Sequence, residues 1–126
     1  MTDPIAKPTE PIRDLHQLRE RLRTFVAERD WDQFHSPKNL AMALIAEAAE
    51  LVEHFQWLTE GESVALSAEK RAHVADELSD VLVYLVRLAD KLDIDLLDAV
   101  TAKMARNEAK YPAERVKGSA RKYTEY

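Results

Sequence analysis

The sequence of 126 residues contains no cysteine and only two glycines, Gly61 and Gly118. Without cysteine the chain can form no disulfide, no thiol nucleophile and no zinc–thiolate centre. A glycine-rich phosphate loop or a dinucleotide-binding fingerprint needs two or three closely spaced glycines, so both kinds of site are excluded. The length suits one small domain and leaves no room for a second domain of ordinary size.

Long apolar runs and an excess of positive charge are also missing. The longest apolar run, residues 81–86, is far shorter than the ~18 residues of a membrane span, and the N-terminus lacks the apolar segment of a signal peptide. The 18 lysines and arginines against 23 aspartates and glutamates give a net charge of −5, which disfavours general nucleic-acid binding. We therefore expect a cytoplasmic protein with no membrane and no nucleic-acid partner.

Helical periodicity dominates what the sequence does contain. Its composition, with 46% hydrophobic and 33% charged residues, is typical of a globular protein. Apolar residues recur at steps of three and four, whereas no segment alternates with the two-residue period of a half-buried strand. The pattern predicts an all-α fold with four helices, at residues 12–29, 37–58, 68–92 and from 93 or 95 to 111.

The two ends of the chain differ from this helical part. Three of the five prolines lie in the first eleven residues, which indicates a flexible N-terminal arm over residues 1–11. The helical domain is expected to extend over residues 12–112. Residues 113–126, which are rich in charged side chains, are expected to form a loosely ordered tail.

Local signals mark where helices begin and end. Ser36 followed by Pro37 is a typical helix start, with Ser36 as the N-cap, and Ser67 is the candidate N-cap of the third helix. Residues 30–35 interrupt the helical period and are expected to form a loop. Gly61 is expected to lie near the C-terminus of the second helix and to close it.

The third helix has an unusual apolar surface. Its predicted core stripe contains Val74, Leu78, Val81, Leu85, Leu88 and Leu92. Residues 81–86 are apolar on every side, which indicates a helix that is buried all round. One short chain can hardly bury such a helix completely, so we expect the protein to form an oligomer. The fourth helix has a predicted stripe of Leu97, Val100, Met104, Asn107 and Tyr111.

Two acidic pairs with a spacing of three residues are the first sign of chemistry. Glu47 and Glu50 lie in the second helix, and Glu77 and Asp80 lie in the third. Each pair occupies one helix face beside apolar residues. Antiparallel packing of the two helices would therefore bring the pairs together near the edge of the core.

Four carboxylates placed in this way would repel one another and lose solvation. A hard divalent cation compensates for both effects, and carboxylate oxygens suit Mg²⁺ or Mn²⁺. Zinc is disfavoured because cysteine and a set of several histidines are missing, and a di-iron centre is disfavoured because no Glu-x-x-His motif occurs. The alternative is that each acidic pair belongs to an ordinary solvated helix face.

A basic segment near the end of the fourth helix has two interpretations. Lys103, Asn107 and Lys110 share one helix face. They have the chemistry to bind the oxygens of a phosphate that also contacts a metal ion. The alternative is that the basic residues only complement the helix dipole.

Aromatic residues before and after the first acidic pair are equally ambiguous. Trp31, Phe34 and His35 lie in the predicted loop, and Trp57 follows the acidic pair. These side chains could stack on a nucleotide base and contact its edge. The alternative is that the aromatic rings only cap the core of the helix bundle.

Taken together, these segments resemble a known family. The segments that carry the resemblance are RDWDQFHSPKNLAMALIAEAAELVEHFQW, DELSDVLVYLVRLADKLDIDL and KMARNEAKYP. They are similar to the MazG-like all-α nucleoside triphosphate pyrophosphohydrolases, and most of all to the dCTP pyrophosphatase branch. The resemblance covers about residues 20–112, and the order and spacing of the motifs are jointly specific.

The resemblance implies an activity and a set of site residues. The activity is Mg²⁺-dependent hydrolysis of a nucleoside triphosphate, dCTP or a modified pyrimidine dNTP, to a monophosphate and pyrophosphate, which cleans the nucleotide pool. Metal binding is implied for Glu47, Glu50, Glu77 and Asp80, with Glu47 or Glu50 assisting the attacking water. Phosphate binding is implied for Lys103, Asn107, Lys110 and Tyr111. Base binding is implied for Trp31, His35, Trp57 and Tyr84.

The family also implies a four-helix unit that assembles as a tetramer with its sites at subunit interfaces. Two alternatives to this assignment stay open. The same fold acts on dUTP, on phosphoribosyl-ATP or broadly on nucleoside triphosphates in related enzymes. A non-catalytic helical module for oligomerisation or regulation is the alternative of another class.

Overall fold

The computed structural model describes residues 10–120 and residue 124. Every regular element in this part of the chain is helical, so the prediction of an all-α fold is confirmed. The elements in chain order are α1 (Leu15–Glu28), a 3₁₀ turn (Asp32–Phe34), α2 (Pro37–Glu53), α3 (Glu60–Ser63), α4 (Ala68–Lys91), α5 (Leu96–Lys110) and α6 (Ala113–Val116).

Side-chain caps set the starts of the four long helices. Each cap oxygen accepts a hydrogen bond from the backbone N–H three residues later, at 2.7–3.1 Å; the caps are Asp14, Ser36, Ser67 and Asp95. The predicted caps Ser36 and Ser67 are therefore confirmed. The first helix begins at Leu15 rather than at residue 12 because Asp14 adopts an extended conformation and caps it.

The second helix is shorter than predicted. It ends at Glu53 instead of residue 58, because the backbone tightens there: the N–H groups of His54 and Phe55 donate to carbonyls three residues back, at 3.2 and 2.9 Å. A new helical turn then begins after Thr59. The Thr59 hydroxyl accepts from the Glu62 backbone N–H at 3.1 Å, and the Glu62 carboxylate accepts from the Thr59 N–H at 2.9 Å. This capping box places Gly61 inside α3 and not at the end of α2.

The segment between α1 and α2 is more ordered than a plain loop. Asp30 has a φ of 53° and leaves α1 in the left-handed conformation, which aspartate tolerates better than most residues. The 3₁₀ turn Asp32–Phe34 follows at once. His35 and Asp32 are therefore held at defined positions before α2 begins.

The chain divides after Leu92 into two compact units. In the first unit α4 packs extensively against α2 and less extensively against α1. The buried apolar residues of this core are Leu18, Val26, Leu40, Val74, Val86 and Ala89. The second unit contains α5 and α6. No helix in the described part of the chain is both long enough and apolar enough to cross a membrane.

Residues 81–86 are not buried all round within the single chain, which was expected to be too short to bury such a helix completely. Val86 is buried, but Leu82 and Leu85 are 40% and 38% exposed. In the predicted stripe of the same helix, Leu78 and Leu92 are about half exposed. The physical reason is that α1 and α2 cover only part of the circumference of α4, so its remaining apolar side chains face outward.

Leu40 is the most deeply buried side chain of the described core, at 1% exposure. The substitution Leu40→Ala is expected to lower the free energy of unfolding by about 3 kcal/mol, because the surrounding side chains cannot fill the cavity. Urea unfolding followed by circular dichroism measures this change. Lys38→Ala on the exposed side of the same helix is the control, and equal effects of the two substitutions would contradict the core position of Leu40.

Candidate metal centre

The packing of α2 against α4 brings acidic side chains from the two helices together. Glu47 from α2 and the pair Glu77 and Asp80 from α4 each place one carboxylate oxygen within 4.8 Å of the other two. Glu50 is close enough to interact electrostatically with Glu47 and with Glu77. We call these four residues the acidic cluster. The i, i+3 spacing places each pair on one face of its helix. The packing of α2 on α4 then brings the two faces together.

Two oxygens of the acidic cluster are buried without a hydrogen-bond partner. They are Oε2 of Glu47 and Oε2 of Glu77. Buried polar atoms are normally paired, so each of these oxygens needs a ligand that the described chain does not supply. A set of carboxylate oxygens fits a hard divalent cation such as Mg²⁺ or Mn²⁺. The cluster therefore has both the donor chemistry and the unsatisfied atoms of a cation site.

The same crowding changes the acidity of the cluster. The hydrogen bond with Glu50, followed by burial and the charges of Glu50, Asp80 and Glu77, raises the pKa of Glu47 to about 7. Burial and the neighbouring Glu50 raise the pKa of Glu77 as well. Without a cation, the cluster therefore retains a proton close to neutral pH.

Two histidines extend the contact between α2 and α4. Nε2 of His54 lies 3.8 Å from Oε1 of Glu77, and the ring of His54 stacks on that of His73 with centroids 6.0 Å apart and planes 5° from parallel. The sequence places His54 one turn after Glu50 and His73 one turn before Glu77. The histidine contact therefore continues the same pair of helix faces as the acidic cluster.

The residues predicted to bind the base lie in different surroundings. Trp31 packs edge-on against Phe25, with ring centroids 5.8 Å apart, and the guanidinium of Arg29 lies 3.8 Å from the centre of the Phe25 ring. Trp57 is 86% exposed, and Tyr84 is half-buried. The base-binding role of Trp31, His35, Trp57 and Tyr84 stays a prediction.

An ion-pair network around Arg87 is the feature that sequence reasoning missed. The Arg87 guanidinium donates to Asp32 at 3.1 Å and lies 3.3–3.4 Å from Nδ1 of His35. It also pairs with Asp90 at 3.5 Å. The only signal in the sequence is an arginine directly after the apolar run 81–86, and nothing in that pattern identifies its partners.

The residues predicted to bind phosphate belong to the second unit. Lys103, Asn107 and Lys110 lie on α5, and Tyr111 is its C-cap, with its backbone N–H donating to the Asn107 carbonyl at 2.9 Å. Asn107 is half-buried and the other three side chains are exposed. Their phosphate-binding role stays a prediction.

Comparisons with known proteins agree with this architecture. The MazG-like family model matches residues 42–126. The chain is 50% identical over 122 residues to dCTP pyrophosphatase 1 of Homo sapiens, covering 94% of this chain and 68% of the human protein. It is 45% identical over 126 residues to dCTP pyrophosphatase 1 of Bos taurus, covering 98% and 73% of the two chains. The fold is similar to that of a pyrophosphatase from Archaeoglobus fulgidus DSM 4304, with a TM-score of 0.75, 38% identity and coverage of 82% and 96%.

The pKa of Glu47 predicts how the metal-free protein responds to pH. Its folded-state pKa of about 7 lies above the ordinary value of 4.5, so the folded state binds this proton more tightly than the unfolded state. The resulting stability is fully present below pH 4.5 and is lost as pH rises through about 7.

We therefore expect the free energy of unfolding of the wild type to fall relative to that of Glu47→Gln as pH rises from about 5 to about 8 in EDTA. The comparison cancels the titrating groups that do not interact with Glu47, and chemical denaturation at each pH measures it. Glu53→Gln, the same substitution at a position outside the cluster, should track the wild type. A constant difference between the wild type and Glu47→Gln would contradict the raised pKa.

Proposed function

We propose that this chain, which belongs to the MazG-like family and is a nucleoside triphosphate pyrophosphohydrolase, uses Mg²⁺ to hydrolyse dCTP or a modified pyrimidine dNTP to the monophosphate and pyrophosphate. The observation that carries the proposal is the acidic cluster with its two unpartnered buried oxygens. The names of the two mammalian relatives supply the choice of dCTP. As an enzyme of this kind the chain is no longer a candidate for the non-catalytic helical module.

The acidic cluster would hold the cation through Glu47, Glu50, Glu77 and Asp80. When bound, Mg²⁺ supplies charge neutralisation for the triphosphate and lowers the pKa of a water molecule. Mn²⁺ has similar ligand preferences and is expected to substitute for it. The negative charge of the cluster explains why the cation is needed, since a polyphosphate would otherwise be repelled from four carboxylates.

A carboxylate of α2 would also accept the proton of the attacking water. A water oxygen forms a bond to phosphorus, the bridging P–O bond between the α- and β-phosphates breaks, and the proton of the water must leave. Glu50 interacts with Glu47 and contributes to raising the pKa of Glu47 to about 7 in the metal-free protein. We assign the role of general base, which accepts that proton, to Glu47 or Glu50.

The remaining substrate contacts are assigned by side-chain chemistry. Lysine ammonium groups, an amide and a phenol are suitable donors to phosphate oxygens; these residues are Lys103, Asn107, Lys110 and Tyr111. Aromatic rings stack on a base, and an imidazole can contact its edge; these residues are Trp31, His35, Trp57 and Tyr84. We also propose a cytoplasmic location, because the proposed substrate is a free nucleotide of the cell.

A turnover assay across common and modified nucleoside triphosphates tests the proposed reaction. Monophosphate and pyrophosphate, resolved by ion exchange, should form with Mg²⁺ and not with EDTA, and dCTP or a modified pyrimidine dNTP should react fastest. Diphosphate and phosphate as products would contradict the scissile bond. Faster turnover of dUTP, phosphoribosyl-ATP or all triphosphates alike would favour those related activities.

A matched pair of variants on α4 tests the role of the acidic cluster. Asp80→Asn is expected to lower kcat by about 100-fold or more, because a lost ligand weakens charge neutralisation in the transition state. Asp76→Asn on the same helix, outside the cluster, should retain the wild-type rate. Comparable rates for both variants, with unchanged circular dichroism, would contradict metal binding by Asp80.

We also propose that the chain assembles as a homotetramer. In the first unit, α4 exposes Leu78, Leu82 and Leu85, and α2 exposes Met42, Ile45 and Val52; in the second unit, α5 exposes Leu97, Val100 and Met104. Such contiguous apolar stripes are typical of surfaces that a partner covers. Full burial of one leucine contributes about 1.5–3 kcal/mol, so several together can offset the cost of association.

Light scattering coupled to size exclusion tests the assembly. The wild type should elute with the mass of four chains, and Leu82→Lys should give smaller species because a charge on this stripe would be buried without a partner. Asp76→Asn is the control again and should keep the wild-type mass. A monomeric wild type at micromolar concentration would contradict the proposal.

A further inference from the structure

Arg87 is a buried cation in the first unit. Among the residues that the structure describes, it is the only charged residue in the fully buried class, with 3% exposure. It lies on α4, directly after Val86 and two residues before Ala89, which are both part of the apolar core. A charge in such a position is retained only where its hydrogen bonds are satisfied.

The donors of Arg87 are directed at three groups on two segments. Nη2 donates to Oδ1 of Asp32 at 3.1 Å, and Nη1 lies 3.5 Å from Oδ2 of Asp90. Nε and Nη2 both approach Nδ1 of His35, at 3.4 and 3.3 Å. The flanking cations pair with the same carboxylates, since Lys91 donates to Asp32 at 3.0 Å and Arg23 donates to Asp90 at 2.8 Å.

The chemistry of the guanidinium decides the protonation of His35. Arginine carries five N–H donors and no acceptor, and it stays protonated in proteins. A ring nitrogen that faces only arginine donors must therefore supply the lone pair. Nδ1 of His35 is then unprotonated, and a neutral imidazole with a bare Nδ1 carries its proton on Nε2.

We propose that Arg87 is a positioning residue that holds His35 as the neutral Nε2–H tautomer, so that His35 offers a hydrogen-bond donor, not an acceptor, to the nucleotide base. The statement about the base rests on the proposed base-binding role of His35. The ligand class is a base that presents an acceptor, either a carbonyl oxygen or an unprotonated ring nitrogen. Cytosine presents two such atoms side by side, O2 and N3, whereas N3 of uracil carries a hydrogen.

The electrostatics around His35 support the neutral form. Burial lowers its pKa first, and the positive charges of Arg87 and Lys91 lower it further, while the negative charge of Asp32 acts in the opposite direction. The pKa lies below the ordinary value of 6.5, so the imidazole stays neutral at physiological pH. Protonation of Nδ1 would also place an N–H against two arginine donors, which have no lone pair to accept it.

The first test reads the tautomer without substrate. Long-range ¹H–¹⁵N correlation spectra of the full-length ¹⁵N-labelled protein distinguish protonated from unprotonated ring nitrogens, and His35→Gln identifies the His35 signals by their loss. We expect an unprotonated Nδ1 and a protonated Nε2 at neutral pH. A proton on Nδ1, alone or together with Nε2, would overturn the proposal, whatever the enzyme's activity.

Two substitutions at Arg87 test whether this residue determines the tautomer of His35. Arg87→Lys still presents only donors, so it should keep the Nε2–H tautomer. Arg87→Gln presents an amide that accepts as well as donates, so it should give a mixture of tautomers and a raised His35 pKa. Asp32→Asn, at a carboxylate that is 62% exposed, keeps Arg87 and should retain the wild-type tautomer. A single Nε2–H tautomer in Arg87→Gln would overturn the assignment to Arg87.

Kinetics with dCTP and Mg²⁺ test the consequence for the base. Complete loss of one directed hydrogen bond corresponds to about a tenfold change in affinity. Because Arg87→Gln keeps part of the protein as the Nε2–H tautomer, KM should rise by about two- to fivefold and by more than kcat falls. Arg87→Lys should restore KM toward the wild-type value. An altered tautomer with an unchanged KM would show that His35 does not contact the base, and would overturn that part of the proposal while the tautomer assignment stands.

Discussion

The placement of like charges between two packed helices is the constraint on which the rest of the site depends. Glu47 on α2 and Glu77 and Asp80 on α4 approach within 4.8 Å, and two of their oxygens have no hydrogen-bond partner. Such an arrangement opposes the packing of α2 on α4 unless a proton or a cation intervenes. The apolar contacts of the first unit, with Leu40 and Val74 among them, must therefore offset this repulsion in the metal-free chain. A bound cation removes the conflict, which couples the stability of the helix pair to the chemistry of the site.

A second charged network lies further along α4, and its central residue, Arg87, is positively charged. Arg87 is buried, but the carboxylates of Asp32 and Asp90 neutralise its charge. Arg23 of α1 donates a hydrogen bond to Asp90. Here the charges compensate one another within the chain, so no external ligand is required. One helix thus carries an unsatisfied acidic cluster and a satisfied basic centre. The first is suited to a cation, and the second holds the 3₁₀ turn and His35 at a defined position and protonation state.

The apolar residues that remain exposed in the single chain show that the first unit has only a small core. Six apolar side chains are buried in the described part of the chain, while Leu78, Leu82 and Leu85 of α4 stay 38–52% exposed. A small chain has too little interior to cover every face of its helices. Residues 81–86 are therefore not buried on every side within one chain, and this incomplete burial is the reason that the sequence led us to expect an oligomer. In the proposed tetramer, a neighbouring chain would cover that face.

Local signals in the sequence were sufficient for the four long helices and for the acidic residues that share one helix face. Ser36 and Ser67 cap the helices as predicted because their side chains reach backbone N–H groups three residues away. The spacing of Glu47 and Glu50, and of Glu77 and Asp80, defines helix faces for the same local reason. The end of α2 is also a local feature, although it was not predicted: the backbone tightens at His54 and Phe55, and Thr59 and Glu62 then form the capping box that starts α3. Only tertiary structure could reveal that Arg87 contacts His35, because 52 positions separate the two residues and no local pattern encodes a contact between side chains so far apart in the chain.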